Sequence, residues 1–181
     1  MTIERIKLRI ATPIEPIVPG RGFYQLEEDA LYVQVGLFSA GRRFYSFLES
    51  KNVLLDFDRL GRLIFIEVRA PRRQWKIDSD LKPPAVAQPA DIRWLNFRDT
   101  IAEPGLFTNC DKSSLLIRFS AETTTHNYYL ADSIILRVDA FNRPVSIWAD
   151  EIVDDLAGLE IAAFRKAFRG EPLLSPVTAS A

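Results

Sequence analysis

Val53-Leu54-Leu55-Asp56-Phe57-Asp58-Arg59-Leu60-Gly61-Arg62-Leu63-Ile64-Phe65-Ile66-Glu67-Val68 decides how this chain folds. Val53, Leu55 and Phe57 alternate with Asp56 and Asp58, the period of two that belongs to a strand with one buried and one wet face. The run then breaks at Asp58-Arg59-Leu60-Gly61. Asp suits the first position of a tight turn, and Gly takes the positive φ that closes a type I turn at no steric cost. The stretch therefore predicts a β-hairpin.

The same hairpin returns at Ile134 to Ala149, with Asp58 on Asp139, Gly61 on Asn142 and Arg62 on Arg143, an offset of 139 − 58 = 81. Asn is the non-glycine residue that best tolerates positive φ, so the replacement keeps the turn's backbone. Further out, Leu31-Tyr32-Val33-Gln34-Val35 lies on Leu115-Leu116-Ile117-Arg118-Phe119 at 115 − 31 = 84, and Pro19, Gly20 and Phe23 lie on Pro104, Gly105 and Phe107. The second copy has lost three residues in between, where loops absorb a deletion. Duplication explains the pattern most simply.

Around these strands, Ile6, Leu8 and Ile10 alternate with Arg5, Lys7 and Arg9, and a matching leader runs through Ile92 to Phe97. Phe44 to Leu48 and Asn127 to Leu130 supply middle strands, so each copy reads as an antiparallel meander of about four or five strands. Pro71 to Ala90, with Pro83, Pro84 and Pro89, suits an exposed linker. Past Ala149, Ile152, Leu156, Leu159, Ala163 and Ala167 fall on one helical stripe with Val153, Phe164 and Phe168 beside it. Asp150 is the expected N-cap, Gly158 a break, and Gly170 with Pro172 the stop.

The expected class is mainly β, a β-rich α+β chain of two duplicated meanders packed as a sandwich or partly open barrel. One domain is expected over 1–174: repeats at about 1–80 and 88–150, a helix over 151–169, and a tail at 175–181. Each meander is marginal alone, and pairing them buries both apolar faces. Two separate small domains joined by the Pro83-Pro84 linker are the alternative.

With 181 residues, 48% of them hydrophobic, the chain can bury a real core. Its 23 basic and 24 acidic residues nearly balance, so no overall field draws it to nucleic acid or to an anionic membrane. One cysteine, Cys110, excludes an intramolecular disulfide, and one histidine, His126, leaves the usual zinc ligands missing. No cofactor or metal is expected. The N-terminus alternates instead of forming a signal peptide, and no run is long enough to span a membrane, which gives a cytoplasmic expectation.

Glu28-Asp29-Ala30-Leu31-Tyr32-Val33, then Leu55-Asp56-Phe57-Asp58-Arg59-Leu60-Gly61-Arg62-Leu63 and Ile66-Glu67-Val68, resemble a short bacterial domain of unknown function, family 2283. That family's pattern is an acidic pair before Ala-Leu-Tyr, then Asp-x-Asp-x-x-Gly-Arg, then Ile-Glu. The resemblance covers about residues 26–68, with a diverged second copy at about 104–149. Phe65 stands where the family usually has a small residue, and Trp148 stands where Glu67 does in the first copy. The resemblance implies a β fold and no established activity.

Two clusters draw chemical attention. Glu27, Glu28 and Asp29, with Asp56 and Asp58 if the strands bring them close, form an acidic set of the kind that binds hard cations or divides acid and base roles. No metal-loop spacing supports the first, and strand entrances are commonly acidic for edge protection. Arg69, Arg72, Arg73 and Lys76 with Trp75 form a basic patch able to grip phosphates while an indole stacks on a base, although no nucleic-acid motif accompanies it. His126 beside Thr123 to Thr125 lacks any nucleophile context, and Cys110 reads as a semi-buried small residue. The leading expectation is a non-catalytic binding or assembly module, with a protein partner or a homodimer as candidate partners. The alternatives are an enzyme using carboxylates between the repeats, or nucleic-acid binding through Arg69 to Lys76.

Overall fold

The computed structural model describes residues 6–37 and 42–169. It is mainly β, with two seven-stranded sheets, one two-stranded ribbon and a single helix near the C-terminus among the described residues. The first copy contributes β2 (Gly20–Gln25), β3 (Ala30–Val35), β4 (Ser46–Glu49), β5 (Val53–Phe57) and β6 (Leu63–Val68). The second contributes β11 (Gly105–Thr108), β12 (Leu115–Arg118), β13 (His126–Ala131), β14 (Ile134–Val138) and β15 (Pro144–Ala149). Their spatial orders, β4-β5-β6-β3-β2 and β13-β14-β15-β12-β11, are the same. Even the irregularities match. Ile64 is the extra residue between the pairs Asp56↔Phe65 and Phe57↔Leu63, and Val145 is the extra residue at the corresponding place in the second copy.

Both hairpin turns are built as the sequence predicts, with left-handed φ at Gly61 (79°) and Asn142 (57°). In each, one aspartate oxygen accepts two backbone N–H groups, those of Leu60 and Arg62 at Asp58 and of Phe141 and Arg143 at Asp139. The other oxygen accepts from the arginine Nε, 2.5 Å at Arg62 and 2.7 Å at Arg143. The first copy adds a close approach: Trp94 N–H donates to the Gly61 carbonyl at 2.7 Å. A Cβ at Gly61 would lie 2.5 Å from the Trp94 carbonyl oxygen.

Four short strands edge the two sheets, and all but the one at Gln88–Pro89 cross from one copy to the other. After the first copy, β7 (Lys76–Ile77) joins β11 of the other sheet, and after the second, β16 (Val153–Asp155) joins β2, both in parallel. In parallel too, β8 (Gln88–Pro89) adds to β13, and β10 (Asp99–Thr100) to β4. The two leaders, β1 (Leu8–Ala11) and β9 (Asp91–Trp94), pair antiparallel with Arg9 opposite Arg93, its own equivalent at offset 84. A pseudo-two-fold axis therefore passes through that ribbon. Leu31, Val33, Leu55 and Ile66 of the first sheet and Leu115, Ile117, Leu136 and Ile147 of the second belong to one buried apolar cluster. The arrangement is a sandwich, with no closed barrel.

The C-terminal region departs from expectation. Helix α1 (Leu159–Arg169) begins only after Gly158, whose φ is 68°, because residues 153–155 are used as the edge strand beside β2. Asp155, buried, takes the capping role expected of Asp150: its two oxygens accept from Glu160 N and Ile161 N, each at 2.9 Å. Leu156 and Leu159 of the anticipated stripe are exposed, whereas Ile152 and Ile161 are buried. The expected stop at Gly170 and Pro172 and the tail at 175–181 lie outside the described residues. No helix among the described residues is long and apolar enough to cross a membrane.

The linker between the copies is a strap. β7 and β8 lie at opposite edges of the second sheet and run the same way, so residues 78–87 leave at one end of the sheet and return at the other. Asp78 N–H donates to the Thr108 carbonyl (2.9 Å) at one edge and Val86 O accepts from Asn127 Nδ2–H (3.0 Å) at the other, with a turn closed by Leu81 N–H on the Asp78 carbonyl (3.2 Å) between them. Along it Leu81, Pro84 and Ala87 are half-buried and Lys82, Pro83, Ala85 and Val86 exposed, so every third side chain is partly covered.

Candidate functional site

The acidic set does not converge. Glu27, Glu28 and Asp29 sit in the turn between β2 and β3, at the end of the sheet where Val68 pairs with Leu31 and Val53. Asp58 anchors the hairpin at the opposite end. Tyr24 donates its hydroxyl to Asp29, Arg73 pairs with the same carboxylate, and Tyr32 donates to Glu28. The Tyr24 hydroxyl and Arg73 hold the Asp29 carboxyl below the usual range. Among the described residues no group of three or more histidine, cysteine, aspartate or glutamate side chains could hold a metal.

The basic set is divided in the same way. Arg69 pairs with Glu49 (2.8 Å) and Glu67 (3.4 Å), Arg72 pairs with Asp154 and lies 4.1 Å over the Tyr24 ring, and Arg73 is on Asp29. Trp75 is 3% exposed, donates Nε1–H to the Ala70 carbonyl at 3.0 Å and belongs to the core. Lys76 lies near the Phe107 ring on the second sheet. The turn over Arg72–Gln74 keeps Arg72 and Arg73 both near Asp29 but gives them separate ion-pair partners, Asp154 and Asp29, and sends Trp75 into the core. Cys110 is exposed, and His126 stacks against Tyr128 at the start of β13.

Between the copies lies a cleft of about 70 Å³, lined by residues 14–18 and 89–92 with Arg42, Arg62 and Tyr129. Its two carboxylates are committed: Glu15 bridges Arg42 (3.3 Å) and Arg62 (3.2 Å), and Asp91 pairs with Arg93 (2.8 Å). The volume is far below the few hundred Å³ of an ordinary small-molecule pocket.

The outer faces hold the unusual chemistry. On the first sheet Asp56 stands in the cross-strand row Phe47, Asp56, Phe65, Gln34. It is 9% exposed and makes no hydrogen bond or ion pair among the described residues. Burial first, then the nearby Glu67 charge, pushes its carboxyl up to about 7, with Arg69 opposing. An aromatic cluster fills the face beside it, Tyr32 stacked on Phe65 and Phe44 tilted against the same ring, both at 5.9 Å.

The equivalent row on the second sheet is Asn127, Arg137, Ser146, Arg118, in adjacent register on four strands. Three of its side chains carry buried polar atoms with no hydrogen-bond partner: Asn127 Oδ1, Arg137 Nε and Ser146 Oγ. Ser146 is 1% exposed. Asn127 gives its Nδ2–H to the Val86 carbonyl of the strap at 3.0 Å, which fixes the amide with Oδ1 left over. Arg137 is half-buried, and burial alone lowers its pKa, with no carboxylate offsetting it. Arg118 is exposed, its guanidinium 4.0 Å over the Phe107 ring. In the neighbouring row Leu116 and Trp148 are 7% and 2% exposed and lie outside the central cluster.

Asp56 belongs to the acidic set marked in the sequence, but none of the second-sheet residues stands out there as a site. Alternation marks Arg137 only as belonging to the wet face of β14, and the strap whose Val86 carbonyl takes the Asn127 amide is invisible to a period of two. One signal was readable: at offset 81 Arg137 falls on Asp56, so the two copies carry opposite charges at one position. Compared with known proteins, the chain matches no family model and no curated protein.

Proposed function

We propose that this chain is a non-catalytic binding module whose ligand-contacting surface is the outer face of the second sheet, beside the strap. The observation that carries the reading is the row of three cross-strand neighbours with buried, unpartnered polar atoms. Native folds satisfy nearly all such groups, and each one left over costs about 1–3 kcal/mol. Among the described residues two other such atoms, Arg72 Nε and Trp94 Nε1, stand apart, whereas these three share one row bordered by an exposed arginine, which supports a partner from outside the chain. The lack of a shared acidic centre, and the ion pairs that occupy Glu15 and Asp91, weigh in the same direction. The test is a fragment screen on the ¹⁵N-labelled chain, followed by amide chemical shifts. Saturable shifts should centre on 116–118, 127, 135–137 and 146–148. A screen whose hits all map elsewhere, or that yields none, defeats the reading.

A second reading rests on Asp56, a carboxyl placed near neutrality in an aromatic setting, where it would serve as a general acid or base. It makes no contact with a nucleophile among the described residues. Turnover of any substrate in a broad hydrolase panel, lost in Asp56→Asn, would put this reading ahead of the first.

A further inference from the structure

We infer that the group bound on this face is an oxyanion, a carboxylate or phosphate, seated on the Ser146 hydroxyl between Arg137 and Arg118. The inference rests on the binding reading above and gives it a ligand class. Arg137 has neither a carboxylate nor an aromatic ring as partner among the described residues, unlike Arg69, Arg72, Arg73 and Arg118. No acidic residue occupies the outer-face positions of its own row or of the neighbouring row Phe107, Leu116, Trp148, Ile135. Arg137 is half-buried with its Nε closed off and unpartnered, a setting in which a nearby anion is favourable, and the planar fork of a guanidinium matches the two oxygens of a carboxylate or phosphate. The unsatisfied groups have the right polarity: Arg137 Nε–H and the Ser146 hydroxyl are donors. Asn127 Oδ1, the acceptor of the row, is met by a hydroxyl or amide N–H on the same ligand.

The experiment is a pair of amide and arginine Nε–H titrations of the full chain, with inorganic phosphate and with citrate, at ionic strength held constant by sodium chloride. The expected result is saturable shifts at Arg137 Nε–H and the amides of 118, 137 and 146 with at least one anion, and the tighter of the two names the source. Arg137→Gln should weaken binding by roughly tenfold to a hundredfold and Ser146→Ala by roughly threefold to tenfold, as loss of a charged and of a neutral hydrogen bond imply. Arg73→Gln, on the other sheet, should leave it unchanged. Because Arg137 has no internal partner, Arg137→Gln folds, and its amide spectrum verifies this. Shifts that stay linear with both anions, or binding to Arg137→Gln at the original strength, overturn the inference. If both anions fail while neutral fragments still perturb the same amides, the oxyanion is lost and the binding face stands. Silence from both removes the two together.

Discussion

Replacing Asp56 by Asn should stabilise the protein at neutral pH and leave its stability nearly unchanged in acid. Asp56 is buried to 9% exposure between Phe47 and Phe65, with Glu67 and Glu49 adding repulsion while Arg69 is already tied to both glutamates. Its carboxyl is raised from 3.8 to about 7. At 1.36 kcal/mol per unit, that is about 4 kcal/mol of preference for the protonated form in the folded state. The folded chain holds this proton more tightly than the unfolded chain. The favourable contribution is therefore complete below about pH 3.8 and lost as pH rises through about 7. Asn has nearly the same shape and never ionises. Urea unfolding of both proteins from pH 4 to pH 8.5 isolates the effect as a difference curve, because every other group cancels. The curve should lie near zero at the acid end and favour Asn by about 2–4 kcal/mol above pH 7, the lower figure applying if water reaches the ionised carboxyl. A flat difference curve, or an Asn variant less stable at pH 8, would show that Asp56 has a partner and is not isolated.

Arg137→Gln removes a desolvated charge without an internal counter-ion, so at pH 7 it should hold or raise the urea midpoint, by about 1 kcal/mol. A loss above about 1 kcal/mol would reveal a native partner. Gly61→Asn and Asn142→Gly exchange the residues of the two turns, yet they should differ sharply. The added Cβ at 61 meets the Trp94 backbone at 2.5 Å and disturbs its 2.7 Å hydrogen bond, costing about 2–4 kcal/mol, while Asn142→Gly should stay within about 1 kcal/mol by urea unfolding. Equal costs would refute the close approach. Asp155→Ala should cost about 1–2 kcal/mol and strip hydrogen-exchange protection from the amides of 160 and 161 first, because both donate to that carboxylate. Unchanged protection there would contradict the cap.

The hairpins were legible because their information is local: an aspartate oxygen accepting the N–H groups two and four residues on, and a residue that tolerates positive φ, are written within five residues. The meander and its sandwich partner followed from alternation and repetition. The C-terminal boundary was not legible, because Ile152 to Asp155 satisfies a helical stripe and an edge strand equally well, and the choice depends on β2, some 130 residues away, offering an open edge. For the basic cluster, adjacency in sequence was misleading: each arginine found a different carboxylate once the chain turned at Arg72–Gln74. Arg137 was hidden for another reason. A strand's alternation tells which residues share a face and nothing about what later meets it.

The two outer rows argue that the faces diverged while the scaffold did not. Register, bulge and turn are held in common, so Phe47, Asp56, Phe65 and Gln34 occupy the same framework positions as Asn127, Arg137, Ser146 and Arg118. On the first face two aromatic rings fill the row, and Phe65 packs into a ring cluster that completes itself. On the second, both rings have given way to a small hydroxyl and an amide, and the surrounding aromatic cluster has no counterpart holding the charge. Each row carries one charge without a hydrogen bond or ion pair among the described residues, Asp56 on the first face and Arg137 on the second, so one framework position holds a carboxylate set among rings in one copy and a guanidinium set among polar neighbours in the other. That contrast within one chain, two solutions on one framework, is the reason to test the second face as the binding surface.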